Sequence, residues 1–565
     1  MYDNWQDHVA AAVFAASTTT WYSLVDRDVK APYLDEFFHV PQAQKYCAGD
    51  YTWDPKITTP PGLYLVAKLL SPILGCSMRS LRAQNVFALS FIFFKVLQIR
   101  RRIQPRGHGQ WKVEALHPKP SDDSLEEHVW TEKDQTPFTT ALTAFNIAAF
   151  PPLFFFGALY YTDVMSTAAV LISYDAFLKR ATKPEKSVFD DLFAVFIGVV
   201  ALFFRQTNIF WVAVFPAGLT VIEALKQNGR TTCSATNQGY VAILQQAWSK
   251  GTVRDRSLRD GGLAISDAVM LLLTTAIAAL RYPLKVLRAI IPYVVLLVLF
   301  AGFVAWNGSV VLGDKSAHTA TIHTPQMLYF WPYIALFSAP ILVGPLFTCV
   351  AHMFPAQLGV KLGVRRKSSY AIYPSLSQGV LFVACGLIAV HFNTIIHPYT
   401  LADNRHYVFY VFRLLLRHPA LKYLAVPVYY VCFWLSIQSL AHPTADPEIK
   451  IITLEAKPPG EAERILKSPT RISFIIIWLL TTALSVVTAP LVEPRYFIIP
   501  WIIWRLHVPY SPTILSIAGR MYTADLRVVV ETVWLVAMNQ VLQHIFLYKT
   551  FTWPSEPGNV QRFLW

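Results

Sequence analysis

Two adjacent carboxylates, Asp35 and Glu36, open the string Asp35-Glu36-Phe37-Phe38-His39-Val40-Pro41-Gln42-Ala43-Gln44-Lys45-Tyr46, just past the first apolar run of the chain. A carboxylate beside a low-dielectric layer is expected to have a raised pKa and to take a proton from a sugar hydroxyl. Asp35 is thus a candidate general base and Glu36 its neighbour or substitute. If 36–44 is helical, Glu36, His39 and either Gln42 or Gln44 fall on neighbouring faces, offering acceptors and donors to hydroxyl groups. An acidic pair at such a place also caps loop helices, so the pair alone does not decide.

Cations recur in similar settings. Arg205 lies in Arg205-Gln206-Thr207-Asn208 between two apolar runs. Arg405 and His406 lie in Leu401-Ala402-Asp403-Asn404-Arg405-His406-Tyr407. Arg495 lies in Glu493-Pro494-Arg495-Tyr496-Phe497, ahead of Trp501, Trp504 and Arg505. An arginine near a bilayer is costly unless it snorkels, faces a cavity or meets an anion, and phosphate suits guanidinium through charge-assisted, often bidentate bonds. A further polar segment holds Asn307-Gly308-Ser309, Asp314, Lys315, His318 and His323. The first three residues form a glycosylation sequon close to an apolar run, where a turn is the simpler role. The two histidines with Asp314 are expected to be hydrogen-bonding loop residues rather than a metal site.

The elements that must position these residues follow from composition. The 565 residues are 54% hydrophobic, 14% aromatic and only 15% charged, against about 25% charged in an average soluble protein. Mean hydropathy is +0.38. Soluble, disordered, fibrous and disulfide-stapled classes are excluded, and an all-α polytopic membrane fold remains. Apolar runs at 9–25, 81–99, 137–159, 164–178, 188–204, 207–224, 286–306, 327–353, 371–393, 419–440, 471–490 and 522–547 suggest about twelve helices near the length a bilayer needs. The N-terminus lacks the positive region of a signal peptide, so the first run is expected to be retained. The whole chain, 1–565, reads as one membrane domain.

The net charge of +14 comes mainly from loops. Segments 100–136, 179–187, 225–285, 354–370 and 441–470 are rich in Lys and Arg and are expected to be cytosolic. The alternate loops, 26–80, 307–326, 394–406 and 491–521, are then luminal, and an even span count puts both termini in the cytosol. The apolar stretch 268–280 is short for a span and reads as an interfacial or re-entrant helix within the 225–285 insert. The six cysteines have no metal-like spacing and read as small apolar residues. No basic stripe interleaved with aromatics lies outside the membrane flanks, which argues against nucleic acid as a partner.

The strings DEFFHVPQAQKYC…WDPKITTPPGLY, FRQTN, NGSVVLGDKSAH, LADNRHY and EPRYF, in order from about residue 33 to 509, together resemble one family. It is the endoplasmic-reticulum alpha-1,2-glucosyltransferase family that uses dolichyl phosphate glucose to add the terminal glucose to the dolichyl-diphosphate-linked oligosaccharide. The resemblance implies a GT-C-type fold in the endoplasmic-reticulum membrane with a luminal active site. It also implies inversion by single displacement, with Asp35 at the catalytic centre and Glu36 orienting or replacing it. The departing phosphate then needs positive charge, which Arg405 and Arg495, with His406 or Arg205 in support, are expected to supply. His39, Gln42, Gln44, Tyr51, Trp53 and Asp54 are then candidates for the acceptor glucoses. Asp314, Lys315, His318, Asp403 and Asn404 belong to the remaining luminal motifs. No metal and no cofactor beyond the donor substrate is expected. The inserts 100–136 and 225–285 carry no resemblance. The alternatives are another dolichyl-phosphate-sugar-dependent transferase of the same pathway, and a membrane transporter or scramblase. The absence of a sequence repeat weakens the transporter reading.

Overall fold

The apolar runs become helices because nothing else satisfies their backbone groups away from water. The computed structural model of the protein describes residues 5–103, 110–115, 129–131, 136–183, 186–226, 239–258, 262–315, 321–353, 373–396, 398–441, 449–454, 470–489, 491–511, 513–517 and 520–565. Helix α1 is Trp5–Asp28, α2 Glu36–Ala48, α3 Gly62–Leu74 and α4 Met78–Ile103. They are followed by α5 Thr136–Ala148, α6 Pro151–Phe156, α7 Thr162–Thr182, α8 Val188–Leu202 and α9 Phe215–Lys226. The middle of the chain forms α10 Tyr240–Lys250, α11 Ile265–Arg281, α12 Pro283–Asn307, α13 Gln326–Phe337 and α14 Ala339–Met353. Then come α15 Leu376–Asn393, α16 Pro398–Ala402, α17 Tyr407–Leu415, α18 Leu421–Gln438, α19 Ile472–Val486, α20 Ile498–His507 and α21 Leu526–Tyr548.

The all-α expectation holds, with a qualification on the spans. Among the described residues four helices, α4, α12, α15 and α21, are long and apolar enough to cross a membrane. A fifth span is formed if α13 and the following Ala339–Phe347, bent by 92°, act together. The other runs fold as helices that are shorter, broken or more polar. Pro151 restarts the helix inside the run 137–159, and α7 carries Asp163, Asp175, Lys179 and Arg180 within its length.

Ion pairs fix the two faces of the bundle. Helices α1 and α4 run antiparallel, with Asp26 paired to Arg79 at one end (3.4 Å) and Asp7 paired to Arg101 at the other. Asp35 follows α1 at the Arg79 end, hereafter the site face. Described residues of the Lys- and Arg-rich segments 179–187 and 225–285 lie at the opposite face: Arg180 pairs with Asp191, and Lys226 with Asp255. The strand Gln110–Ala115 pairs antiparallel with Ile449–Leu454, joining two of the basic inserts. Helix α11, which covers 268–280, begins and ends at that face. Its Asp267 meets Arg256 (2.9 Å), and Tyr282 at its end lies against Gly251.

The loop assignment for 491–521 needs correction. Arg495 stands beside Asp35, yet Leu506 and Val508 accept hydrogen bonds from Arg100 near the far end of α4, at 2.6 and 2.9 Å. Helix α20 therefore runs inward from the site face to the opposite face. Its Trp and Arg residues disguise it as loop. Inside the bundle the polar side chains of α20 find partners: Trp501 donates to Ser338 (3.0 Å), Trp504 to the Ser436 carbonyl (3.0 Å), and Arg505 to Glu531. Trp501 also stacks on Phe150 with ring centroids 3.8 Å apart.

This additional crossing changes the parity of the chain. The N-terminal helix starts at the opposite face, while residues 551–565 return to the site face. There Arg562 donates to the Asp28 carbonyl (3.0 Å) and the Leu564 amide to the Arg405 carbonyl (2.9 Å). The two ends of the described chain thus lie on opposite faces, not both on the cytosolic one.

The cysteines need a second correction. Cys47, at the end of α2, and Cys76, before α4, form a disulfide, whereas Cys349, Cys385 and Cys432 are free.

Candidate active site

Backbone strain marks the turn before the first candidate residue. Leu34 has φ +50°, the only positive φ on a described non-glycine residue, a conformation that costs about 1–2 kcal/mol. It turns the chain so that Asp35 precedes α2 without capping it: the Asp35 side chain makes no cap hydrogen bond. Its amide donates to the Tyr161 hydroxyl (3.2 Å) and its Oδ2 accepts from Arg495 Nη1 at 2.7 Å, with 40% of the side chain still exposed. A carboxylate that is both ion-paired and open is poised for exchange of partners.

Glu36 faces the other way and is fully buried. Its Oε1 accepts from Arg82 Nε (2.8 Å) and the Tyr160 amide (2.7 Å). Its Oε2 accepts from Arg82 Nη2 (2.6 Å) and the Tyr33 amide (3.0 Å). Arg82 also donates to the carbonyls of Val29 and Ala31. With every oxygen occupied inside the protein, Glu36 holds the loop in place and cannot reach a substrate hydroxyl. The expectation that it replaces Asp35 fails on access.

The cations divide in the same manner. Arg495 Nη1 also faces Asp163 Oδ2 at 3.6 Å, and its Nη2 meets Glu493 at 2.7 Å. Its guanidinium lies 5.5 and 5.6 Å from the ring centroids of Phe156 and Tyr161. Arg205 pairs with Asp163 Oδ1 at 2.9 Å. These two arginines, Asp35, Asp163 and Glu493 make one cluster. Arg405 instead spends its donors on Asp403 and on Gln561 (3.0 Å), and stacks on Trp553 with its centre 4.7 Å from the ring. His406 Nδ1 meets the Trp565 carbonyl at 2.9 Å, and Asn404 accepts from Trp553. Asp403, Asn404, Arg405 and His406 thus fasten residues 551–565 behind Tyr33, whose hydroxyl bonds Arg562.

Charge sets the protonation at the centre. Burial pushes the Asp35 carboxyl up, but Arg495, with His39 and a direct hydrogen bond, outweighs it and holds the pKa below the usual carboxylate value. The raised value expected from the sequence is thus reversed by the ion pair. For Arg495, burial lowers the pKa, but Glu493, Asp35 and Asp163 raise it above the ordinary guanidinium value. Burial lowers the pKa of His39 against the pull of Asp35, so its ring is neutral at neutral pH, with Nδ1 2.6 Å from the Tyr64 hydroxyl.

The remaining candidates are mostly architectural. Gln42 is buried, donating to the Thr52 carbonyl (2.8 Å) and accepting from the Asp54 amide (3.1 Å). Asp54 accepts from the Lys56 amide, closing a turn. Gln44 donates to the Cys76 carbonyl and Trp53 to the Ile57 carbonyl. Tyr51 is 59% exposed and edge-on to Tyr46. Gln42, Gln44, Trp53 and Asp54 therefore shape the loop, while Tyr51 and Gln44 are exposed. The Asp314 amide donates to the Pro55 carbonyl (2.7 Å), so the second loop rests on the first. Lys315 donates to the Asn307 carbonyl, and Asn307 donates to Ser309 and Val311 within its own turn. His318 lies outside the described residues. Among the described residues no group of three or more His, Cys, Asp or Glu is arranged to hold a metal ion.

Comparison with known proteins places the chain in a family. The DIE2/ALG10 family model matches residues 29–506. The chain belongs to the DIE2/ALG10 family. It is similar to proteins named Dol-P-Glc:Glc(2)Man(9)GlcNAc(2)-PP-Dol alpha-1,2-glucosyltransferase in several organisms. The Gibberella zeae protein is 37% identical, over 96% of this chain and 91% of the relative. The Emericella nidulans protein is 37% identical, over 96% of each, and the human one 30% identical, over 96% and 95%. No solved structure matches the chain. The family match spans Asp35, Asp163, Arg205, Arg405 and Arg495 and stops short of 551–565.

Three participants escaped the sequence: Asp163, Tyr161 and Glu493. A signal existed for the first two. Tyr160-Tyr161-Thr162-Asp163 is a short polar break between two apolar runs, and the alternation of sides would have placed it with Asp35.

Proposed function

We propose that the protein transfers glucose from dolichyl phosphate glucose, with inversion, to the 2-hydroxyl of the terminal glucose of diglucosylated dolichyl-diphosphate oligosaccharide, the last step of N-glycan precursor assembly. Family membership supports the substrates. The observation that carries the chemistry is Asp35: a partly open carboxylate, placed by the left-handed turn at Leu34 and held on Arg495 at 2.7 Å beside a second arginine.

In this reading the acceptor 2-hydroxyl oxygen attacks the anomeric carbon from the side opposite the phosphate. The new C–O bond forms as the bond to phosphate breaks, the electron pair leaves with dolichyl phosphate, and the proton passes to Asp35. The leaving group is already an anion, so it requires positive charge rather than an acid. Arg495 and Arg205 supply that charge from fixed positions. Arg405 and His406, committed to Asp403 and to residues 551–565, brace the wall behind Tyr33.

The site face is read as the lumen of the endoplasmic reticulum. A disulfide between Cys47 and Cys76 on that face fits an oxidising compartment, and the basic segments on the opposite face fit the cytosol. The N-terminal helix then starts in the cytosol, and residues 551–565 lie in the lumen.

The test uses purified protein in detergent with dolichyl phosphate glucose and the diglucosylated acceptor, with and without chelator, read by mass. Addition of one hexose is expected. Addition only to an unglucosylated or monoglucosylated acceptor would move the enzyme to an earlier step, and no addition to any acceptor would overturn the assignment.

A further inference from the structure

The cluster contains a carboxylate oxygen with nothing bonded to it. Asp163 is 4% exposed on the first turn of α7, a position where the helix dipole favours negative charge. Its Oδ1 is held by Arg205 at 2.9 Å, but its enclosed Oδ2 makes no hydrogen bond. Arg495 Nη1 lies 3.6 Å from that oxygen, and it is the same nitrogen that Asp35 Oδ2 occupies at 2.7 Å. A shift of about half an ångström would bring Asp163 into hydrogen-bond range. Two carboxylates thus compete for one nitrogen, and they differ in freedom. Asp35 sits in a loop with 40% of its side chain open, whereas Asp163 is enclosed and anchored at its other oxygen.

A donor phosphate meeting Arg495 from the open side brings like charge against Asp35, the carboxylate free to move. If Asp35 simply left, Arg495 would lose one of its anchors at the moment when it must stay fixed. We propose that Asp163 is a positioning residue that takes over Arg495 Nη1 as the donor phosphate displaces Asp35, so that the base is released while the cation stays in place. The step is a change of hydrogen-bond partners and requires no covalent chemistry. It explains why a buried oxygen is left unbonded in the resting site, a costly arrangement unless the partner arrives later. The inference rests on Asp35 being the base.

The experiment compares Asp163→Asn, Asp163→Glu and Asp35→Asn with the full-length wild type, measuring kcat and donor KM in detergent together with thermal unfolding. Asp163→Asn keeps the size but loses the charge that holds Arg495, and one negative charge near the phosphate disappears. The expected result is kcat lower by about tenfold to a hundredfold, with donor KM unchanged or lower and the melting temperature close to wild type. Asp163→Glu restores part of kcat. Wild-type kcat in Asp163→Asn overturns the proposal. So does a loss of kcat accompanied by a raised donor KM and a lowered melting temperature, the pattern of a merely structural residue. Full activity in Asp35→Asn would instead remove the base reading itself, whatever Asp163 does.

Discussion

Helix α20 has an arginine–carboxylate pair at each end, and the two pairs have opposite characters. At the inner end Arg505 and Glu531 are bidentate at 2.8 and 2.6 Å and buried to 1% and 0% exposure, with Asn146 donating to the same carboxylate at 2.8 Å. At the site end Arg495 is shared among three carboxylates, one of which is 40% exposed. The charges are alike, and access separates them. A closed pair can only hold helices together, since nothing can enter to replace either partner. The crowded pair leaves its carboxylate partly open to solvent, which is what the proposed exchange with a phosphate requires. The same contrast appears one residue apart in Asp35 and Glu36, so proximity in sequence says little about role.

The largest effect expected from breaking the open pair is on rate. Asp35→Asn should reduce transfer by about 10²–10⁴-fold while lowering the melting temperature only modestly, because the residue is partly solvated and packs little. Hexose addition by mass and a melting curve on the same preparation check both halves. Breaking the closed pair should do the reverse. Glu531→Gln leaves Arg505 charged and buried without its partner, at a cost of about 3–5 kcal/mol. The expected readout is loss of folded protein, and replacing both Arg505 and Glu531 by apolar residues of similar volume should recover much of it. A Glu531→Gln protein of wild-type stability would remove the contrast.

These outcomes bear on what the sequence could reveal. The helical class, the Asp35 loop and Arg495 were legible because apolar runs and unusual polar strings are local features. The role of Glu36 was not, since its partner Arg82 lies forty-six residues away, and adjacency to Asp35 made the two look equivalent. Helix α20 was misread as loop because Trp501, Trp504 and Arg505 look interfacial until Ser338, Ser436 and Glu531 are seen to satisfy them. Asp163 was hidden at the start of a helix, and its meaning arises only when Arg205 and Arg495 converge on it. Pairing of Cys47 with Cys76 likewise required the fold of the loop between them.

The disulfide offers a smaller perturbation that sharpens the comparison from the side of the loop. It links the end of α2 to Cys76 just after α3, 29 positions on, and so closes a segment that carries α3 but neither the body of α2 nor Asp35. Cys47→Ser should lower stability by about 2–4 kcal/mol. Transfer by the protein that remains folded should be retained, since the Glu36–Arg82 pair still fixes the start of α2. Activity normalised to folded protein, with and without reductant, checks this; loss of normalised activity would mean that the loop beyond α2 shapes the centre directly.

Acid separates the groups of the open cluster by sign. His39 is buried neutral with its pKa lowered, so it contributes stability above the unfolded imidazole value of about 6.5, and this is lost as the pH falls toward its lower folded value. Asp35 also has a lowered pKa. Its contribution is fully present above the unfolded carboxylate value of about 3.9 and disappears only as the pH falls through the folded value beneath it. Melting curves should therefore show wild type and Asp35→Asn differing by a constant amount from pH 5 to 8 and converging below about pH 4. His39→Asn should flatten the part of the slope just below about pH 6.5. Convergence of wild type and Asp35→Asn near neutral pH would mean that Asp35 is already protonated there, and that Arg495 does not hold it as a carboxylate.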